Sequence, residues 1–484
     1  MLAIAVASLA AGTVVRVLAA QNDLWFDEIW TLKLLRERVH SFGDVFTNVK
    51  HSNNHHLVSL WMWLVGQNAS AFVYRIPSVL ASIGTVVVAG FIGARRSCIE
   101  GYIAVTLTSW SYLLIHYGTE ARGYSLVIFF AMLAWYALQQ FEGKEKRSWF
   151  WTVVFWGAVV LGFLAHLEFA ICFAGLVVWA LWRLVRHQPT WRQILLDLFA
   201  LFTVPIVLLL TFYFVALRGM VVGGGPEYQV MPLLIETASY VLGGPASGVA
   251  AGIAALLTVT SIYLVLVYLM FERDDRWIFY AVVIVAPLGL IPILLLVPLS
   301  VRYFIITVAA SLVLLASGHA ALLRQGVTGV AIGVTLLAMF VAGNAVNTVN
   351  LLRFGRGQYL AALHFMERHS DNPEVVITSD HDFRNEMLVS YYKRYLERPD
   401  HIRYVDAATL RDESLRTNGS SLAAEWLILH RFDLREQPER MSDHFGNNYQ
   451  LMTVYRYSDL SGWNWILYHK VNPPPVAPHS PLSQ

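Results

Sequence analysis

The sequence predicts an α-helical polytopic membrane protein carrying a small C-terminal α/β domain outside the membrane. Three observations predict it. Of 484 residues 56% are hydrophobic and only 14% charged, with a mean hydropathy of +0.52, so lipid is the main solvent. Apolar runs of the length that crosses a bilayer recur from the first residue to about Asn344. From Leu351 onward the composition turns to that of a soluble domain.

About eleven runs have spanning length. They are Met1–Ala20, Val73–Ala94, Ile99–Tyr117, Gly123–Phe141, Trp149–His166, Glu168–Val185, Ile194–Leu217, Val249–Met270, Trp277–Leu299, Tyr303–Leu322 and Gly326–Val346. The first ends in Leu-Ala-Ala but has no Lys or Arg ahead of it, so it reads as an uncleaved span and not as a secretory signal. Ile29–Phe46 has the pattern of a helix lying along the surface, and Leu57–Val65 is too short to span.

Cations set the expected orientation. One set of alternate loops holds Arg95, Arg96, Lys144, Lys146, Arg147, Arg183, Arg186, Arg192, Arg273, Arg276 and Arg324, while the other short loops hold only Arg122, Arg218 and Arg302. Lys and Arg collect on the cytoplasmic side. The segment from Gln21 to Phe72, the turns at Glu120, His166 and Arg302, and the chain beyond Asn347 are therefore expected outside a plasma (inner) membrane, facing the periplasm or exterior.

The soluble part, residues 351–471, reads as a helix over Gln358–Arg368, a strand at Val375–Thr378, a helix over Phe383–Tyr395, and strands at Trp426–Leu429, Leu451–Tyr457 and Trp465–His469. It has no GxGxxG and no GxxxxGK[ST], so nothing announces a nucleotide site. The tail from Asn472, with three consecutive prolines, is expected to be disordered. A formal charge of +2 points to no nucleic-acid partner. Cys98 and Cys172 form neither a CxxC nor a Cys-His cluster.

The expected outer face gathers polar residues. Asp27 and Glu28 stand together in Leu24-Trp25-Phe26-Asp27-Glu28-Ile29-Trp30, carboxyl groups among large apolar side chains, which suits a general base; the plainer reading is a solvated interfacial turn. Asn53-Asn54-His55-His56 offers paired imidazoles for a divalent metal, against which stand ordinary surface histidines. In His116-Tyr117-Gly118-Thr119-Glu120-Ala121-Arg122-Gly123-Tyr124, Glu120 either faces a reaction centre with Arg122 or Tyr124 positioning it, or pairs with Arg122. His166 and Glu168 flank the next outward turn, and Arg302-Tyr303 a later one. An arginine at a cation-poor mouth suits a phosphate, which guanidinium binds in bidentate fashion, or a structural ion pair. Gly223-Gly224-Gly225-Pro226 lacks the Lys and the context of a phosphate loop and reads as a flexible outer loop.

The order of these clusters resembles the lipid-linked-sugar glycosyltransferases of the GT-C fold, in particular the family 39 and RgtA/B/C/D-like group related to protein O-mannosyltransferases and the lipid A aminoarabinose transferase. Trp25-Phe26-Asp27-Glu28 matches its W-x-D-E and Tyr74-Arg75-Ile76-Pro77-Ser78 its R-x-P-S. His116-Tyr117 with Glu120-Ala121-Arg122 and Tyr124 matches Y-x-x-E-A-R-x-Y, His166 the T-H-Y turn, and Arg302-Tyr303 the late R-Y. Where the family usually has H-P-P-L this chain has His55-His56-Leu57, and Leu167-Glu168 follows His166 in place of the commoner Tyr.

The resemblance, which covers most of the first 360 residues, implies a membrane transferase that moves a sugar from a polyprenyl-phosphate carrier to a lipid, glycan or protein acceptor by an inverting displacement. It makes Asp27 the catalytic base, with Glu28 beside it and Glu120 as second acidic residue. It gives Arg302 and Tyr303, with Arg122 and Tyr124, to the donor phosphate, and His55 and His166 to a divalent metal ion. Polysaccharide polymerases or ligases are the competing enzymes, and a lipid-carrier flippase or assembly scaffold the non-enzymatic alternative.

Overall fold

The computed structural model describes residues 1–141, 148–187, 190–222, 229–294, 300–370, 372–410, 424–434, 437–443 and 446–471, the side chains of 288–294 excepted. Lys144, Lys146 and Arg147, the Gly223–Pro226 loop and the tail from Asn472 lie outside the described residues. Each of the eleven apolar runs contains a helix. Among the described residues seven helices are long and apolar enough to cross a membrane, and eight if the bent pair Cys98–Trp110 and Tyr112–Gly118 counts as one span. The remaining three runs give the shorter apolar helices Tyr124–Gln139, Trp149–Ala165 and one described as apolar over Arg276–Pro287. The helix Val230–Val241 was not expected. The helix expected over Ile29–Phe46 starts earlier, at Phe26, and stops at Arg38, with a separate turn at Asp44–Thr47.

The chain divides into two compact units, one of Met1–Asn22 with Thr31–Leu352, the other of Asp23–Trp30 with the residues from Arg353 on. In the first, the interior has to satisfy its own polar groups, because lipid offers no hydrogen bonds. Arg16, on the helix Leu2–Ala19, is buried and donates to Ser82 Oγ (2.8 Å), to the carbonyls of Ser109 (2.9 Å) and Thr108 (3.0 Å) and to its own helix at Gly12 (3.0 Å). Ser82 in turn donates to the Leu114 carbonyl (3.3 Å). One guanidinium thus ties the first helix to Ala71–Ala94 and Cys98–Trp110, and through Ser82 to Tyr112–Gly118.

Two prolines inside helices are handled alike. Pro77 and Pro205 each lack the N–H that would bond the carbonyl four residues back. Those carbonyls, Val73 and Leu201, receive indole N–H bonds from Trp61 (2.8 Å) and Trp156 (2.9 Å). The 59° bend at Ser111 also interrupts a helical ladder, and the Tyr112 amide donates to Asn344 Oδ1 (2.7 Å) of the helix Gly326–Phe354.

The second unit holds a six-stranded mixed sheet of β1 (Val375–Ser379), β2 (Ile402–Tyr404), β3 (Trp426–Arg431), β4 (Arg440–Ser442), β5 (Asn448–Tyr455) and β6 (Asn464–Val471), in the order β2-β1-β3-β6-β5-β4. β1 runs parallel to β2 and β3, and the other pairs are antiparallel. The register sets Ile428 opposite Leu467, and alternation along the strands sorts the side chains. Trp426 and Trp465 meet Phe365 and Tyr359 of the helix Tyr359–Arg368, while Leu427, Leu429, Ile466 and Tyr468 form a second cluster with Tyr449. The short strands β2 and β4 went unread in the sequence because three residues show no periodicity.

Replacing Arg16 by Met keeps the helix but leaves the Thr108 and Ser109 carbonyls and Ser82 without their donor. Purified protein in detergent should lose about 2–5 kcal/mol of stability, read as a lowered unfolding temperature; an unchanged temperature would refute the role of this contact.

Candidate active site

The first unit brings together five segments distant in sequence. Asn53, Asn54, His55 and His56 precede and open the helix His56–Val65 and are all buried, which excludes surface histidines. The hairpin Thr119–Gly123 joins Tyr112–Gly118 to Tyr124–Gln139, the turn His166–Glu168 joins Trp149–Ala165 to Phe169–His187, and Val301–Phe304 forms a 3₁₀ turn carrying Arg302 and Tyr303. The helix Val230–Val241 brings Glu236 within electrostatic reach of Tyr117.

Gly123 makes the convergence possible. A Cβ there would collide with the Ala165 carbonyl oxygen and stand 2.7 Å from His55 Nδ1, so the hairpin and both histidine turns pack on bare backbone. The His55 and His166 rings stack at 4.9 Å and 19°, and Tyr124 lies edge-on or tilted to both at 5.3 and 5.1 Å. Arg122 donates to Asn53 Oδ1 and to Tyr124 Oη (3.4 Å), its guanidinium 5.7 Å from the Tyr124 ring. Ser78, in the Arg75-Ile76-Pro77-Ser78 segment, donates to the Arg122 carbonyl (3.2 Å). Arg75 itself is buried and donates to the carbonyls of Ala20 (3.1 Å) and Asn22 (2.5 Å), fixing the exit of the first helix. Glu120 is fully buried, with Oε1 3.3 Å from His116 Nε2, and His116 Nδ1 lies 3.4 Å from Tyr112 Oη.

Arg122 and Arg302 both act on the two histidines of this cluster. Burial, with Arg122 and Arg302 adding to it, holds His166 down to about 3, and burial followed by Arg122, His166 and Arg302 holds His55 well below the ordinary imidazole range. Both rings are neutral at physiological pH. His166 Nδ1 accepts the Glu168 amide N–H (3.1 Å), which assigns the ring proton to Nε2. Burial pushes the Glu168 carboxyl up to about 8, although it accepts the Ile306 amide (3.3 Å). Two guanidiniums thus act on two uncharged imidazoles. A shared cation fits the histidines poorly, because stacked rings direct their nitrogens along parallel planes and not at one point. Among the described residues no three His, Cys, Asp or Glu side chains gather as metal ligands.

Asp27 and Glu28 belong to the other unit and open the helix Phe26–Arg38. Glu28 is fully buried and its Oε2 accepts the Trp25 amide (3.0 Å), so the pair sits in a capped first turn and not in a solvated loop. Asp27 is half-buried. Around that turn Phe26 and Trp30 pack on Phe383 at 5.7 and 5.5 Å, and Arg384 lies 4.4 Å from the Trp463 ring. In the sequence Asn53 is marked only by its polar run, and nothing singles out Glu236.

The sequence matches no family model and no curated protein. The fold has solved counterparts. ArnT from Cupriavidus metallidurans in the apo state matches with a TM-score of 0.54 at 12% identity, over 96% of this chain and 97% of that one. ArnT bound to undecaprenyl phosphate matches at 0.50 and 13%, over the same shares. The Archaeoglobus fulgidus oligosaccharyltransferase tethered to an acceptor peptide containing the NVT sequon matches at 0.51 and 9%, over 88% of this chain and 68% of that one. The chain has the GT-C fold. Within that fold, the cluster built by Asn53, Glu120, Arg122, Tyr124, His166 and Arg302 is the candidate site of the helical unit.

Glu168 gives this site a pH signature. Its carboxyl is held above the reference value of 4.5, so its contribution to stability is full below that pH and is lost as pH rises through about 8. His166 acts in the other window, losing stability as pH falls from 6.5 towards 3. Between pH 6.5 and 8 the unfolding temperature in detergent should therefore fall with rising pH, and Glu168→Gln should flatten that slope; equal slopes in both proteins would show that Glu168 is not held neutral.

Proposed function

We propose that the protein is a membrane glycosyltransferase that takes a sugar from a polyprenyl-phosphate carrier and passes it to a hydroxyl of a lipid, glycan or protein acceptor. The observation that carries this reading is the pair Arg122 and Arg302 acting together on two neutral, buried histidines, beside the buried Glu120. That is an environment for a phosphate at the edge of an apolar space. The fold shared with ArnT bound to undecaprenyl phosphate supports a carrier of the same kind.

In the proposed reaction the acceptor oxygen attacks the anomeric carbon and Asp27 takes the hydroxyl proton. The bond from that carbon to the carrier phosphate oxygen breaks, and the phosphate leaves with the electron pair. Arg122 and Arg302 neutralise the charge that develops there. Tyr124 and Asn53 hold the Arg122 guanidinium, and Tyr303, with its ring 5.5 Å from the Arg302 guanidinium, restrains the second. Glu120 serves as the second acidic residue. Glu28, whose side chain caps the turn, acts as a positioning residue for Asp27. A single displacement inverts the anomeric centre. No step runs through a metal.

The test is transfer from a polyprenyl-phosphate sugar by purified variants, beside a donor-binding measurement. Asp27→Asn should cut turnover by about two to four orders of magnitude and leave donor binding intact, whereas Arg302→Ala should weaken donor binding first. Near-normal transfer by Asp27→Asn would remove the base from this scheme, and activity in Glu120→Gln as well would favour a flippase or scaffold.

The proposed reaction faces the exterior of a plasma membrane, following the distribution of cations. In a Cys98→Ser background, Phe42→Cys and Met452→Cys should react with a membrane-impermeant thiol reagent applied outside intact cells, and Arg324→Cys should not. Outside labelling of Arg324→Cys would reverse the orientation.

A further inference from the structure

In the second unit the chain leaves β1 towards β2 and leaves β3 towards β4, strands at opposite edges of the sheet. β1 and β3 are parallel neighbours, so the loops at their carboxyl ends part and open a crevice, the place where open α/β sheets receive ligands. The helix Asp382–Tyr392 starts there, and its cap residue His381 makes no side-chain bond to the first turn. Asp380 joins the two strand ends: its Oδ1 accepts the His430 amide (2.9 Å) and its Oδ2 the Arg431 guanidinium.

His430 occupies the last position but one of β3 and is 8% exposed. Trp465 Nε1 donates to Asn385 Oδ1 (3.0 Å), which identifies that atom as the amide oxygen, and His430 Nδ1 lies 3.2 Å from the same oxygen. Nδ1 therefore carries the ring proton, and Nε2 keeps a lone pair. Neither His430 Nε2 nor Asn385 Nδ2 has a hydrogen-bond partner among the described residues, and both are buried. Burial, followed by Arg384, His381 and Arg431, holds the imidazole down to about 2, so at physiological pH Nε2 is an acceptor only. A ring that served only to brace Asn385 would lose its bond to water at Nε2 and regain none.

The two atoms describe their ligand. An acceptor and a donor on side chains that touch match a hydroxyl, which gives one hydrogen and accepts another. A fully ionised phosphate has no hydrogen for Nε2, and a metal ion cannot accept the Asn385 N–H. The wall beside them is aromatic: the Trp463 ring is centred 4.5 Å from that of His430 and 5.8 Å from that of Phe432, which is exposed. Aromatic walls with a few placed polar groups take small organic ligands. A peptide adds to a strand edge, and β1 and β3 are interior strands. A sugar ring presents C–H faces to the wall and hydroxyls to the two polar atoms. The same aromatic cluster reaches Asp27 within this unit, because Phe26, one residue before it, lies 6.2 Å from Trp463.

We propose that the crevice between the carboxyl ends of β1 and β3 binds a sugar residue of the acceptor, through His430 Nε2, Asn385 Nδ2 and the wall of Trp463 and Phe432. Calling that sugar the acceptor rests on the transferase reading above. It makes the acceptor a glycan, held by the unit that also carries Asp27.

The experiment uses the full chain in nanodiscs, free of glycoside detergent, and saturation-transfer NMR with the methyl glycosides of glucose, galactose, mannose and N-acetylglucosamine, beside the peptide acetyl-Gly-Ser-Gly-amide. His430→Asn keeps an N–H for Asn385 and removes the atom at Nε2, whereas His430→Gln returns a polar atom near it. At least one glycoside should bind wild type, about tenfold more weakly in His430→Asn and by a smaller loss in His430→Gln. Arg440→Gln, at an exposed position of β4 on the far edge of the sheet, should bind as wild type does. No glycoside binding by wild type, equal affinity in His430→Asn, or equal loss in Arg440→Gln overturns the proposal. So does binding of the peptide alone, lost in His430→Asn, which would give the crevice to a peptide. If His430→Asn fails to fold, Phe432→Ala is measured in its place, and unchanged affinity in that variant overturns the proposal. Donor binding on the same samples separates the two readings. Donor binding without glycoside binding removes the sugar site and leaves the transferase, whereas glycoside binding without donor binding supports a sugar site and removes the transferase.

Discussion

A carbonyl that loses its helical partner inside a bilayer has no water to turn to, and the helical unit answers that constraint with Arg16. Its guanidinium takes up Thr108 and Ser109 where the helix Cys98–Trp110 approaches its break, and it holds Ser82, which bonds the next helix at Leu114. The helix so held, Tyr112–Gly118, leads directly into the hairpin of Glu120 and Arg122. A side chain on the first helix therefore sets the position of the most buried carboxyl of the candidate site. The same rule explains the two indoles that cover Val73 and Leu201 behind prolines. Breaks in this bundle are tolerated where another helix supplies the missing hydrogen bond.

The electrostatics of the site follow from burial acting unequally on different groups. Desolvation strips the charge from His55 and His166, since imidazole titrates near neutrality, but a guanidinium keeps its proton. The result is a patch whose positive charge is permanent and whose aromatic surroundings are neutral. An amide oxygen, a phenol and the face of a ring orient Arg122.

The carboxyl pair of the other unit also divides its labour. Asp27 and Glu28 are neighbours in sequence, yet Glu28 is buried on the backbone of its own turn while Asp27 remains half-buried. Consecutive residues in a first helical turn point about 100° apart, so one side chain closes the turn and the other is presented. His55 takes an extended conformation ahead of the helix that His56 opens, φ −94° and ψ 91°.

Sequence alone determined the class of the molecule, the eleven apolar runs that became helices, the soluble C-terminal part with its longer strands, and the order of the polar clusters. These are properties of composition and period, readable wherever a segment is long enough to repeat. Tertiary structure decided what spacing cannot carry. It brought Asn53 to Arg122 across 69 residues and Glu236 towards Tyr117. It stacked His55 on His166, an arrangement that needs the missing side chain of Gly123, and set both rings within the field of Arg122 and Arg302. The physical reason is the same throughout: a side chain's charge and aim depend on its burial and its neighbours, and those are fixed only when distant helices pack.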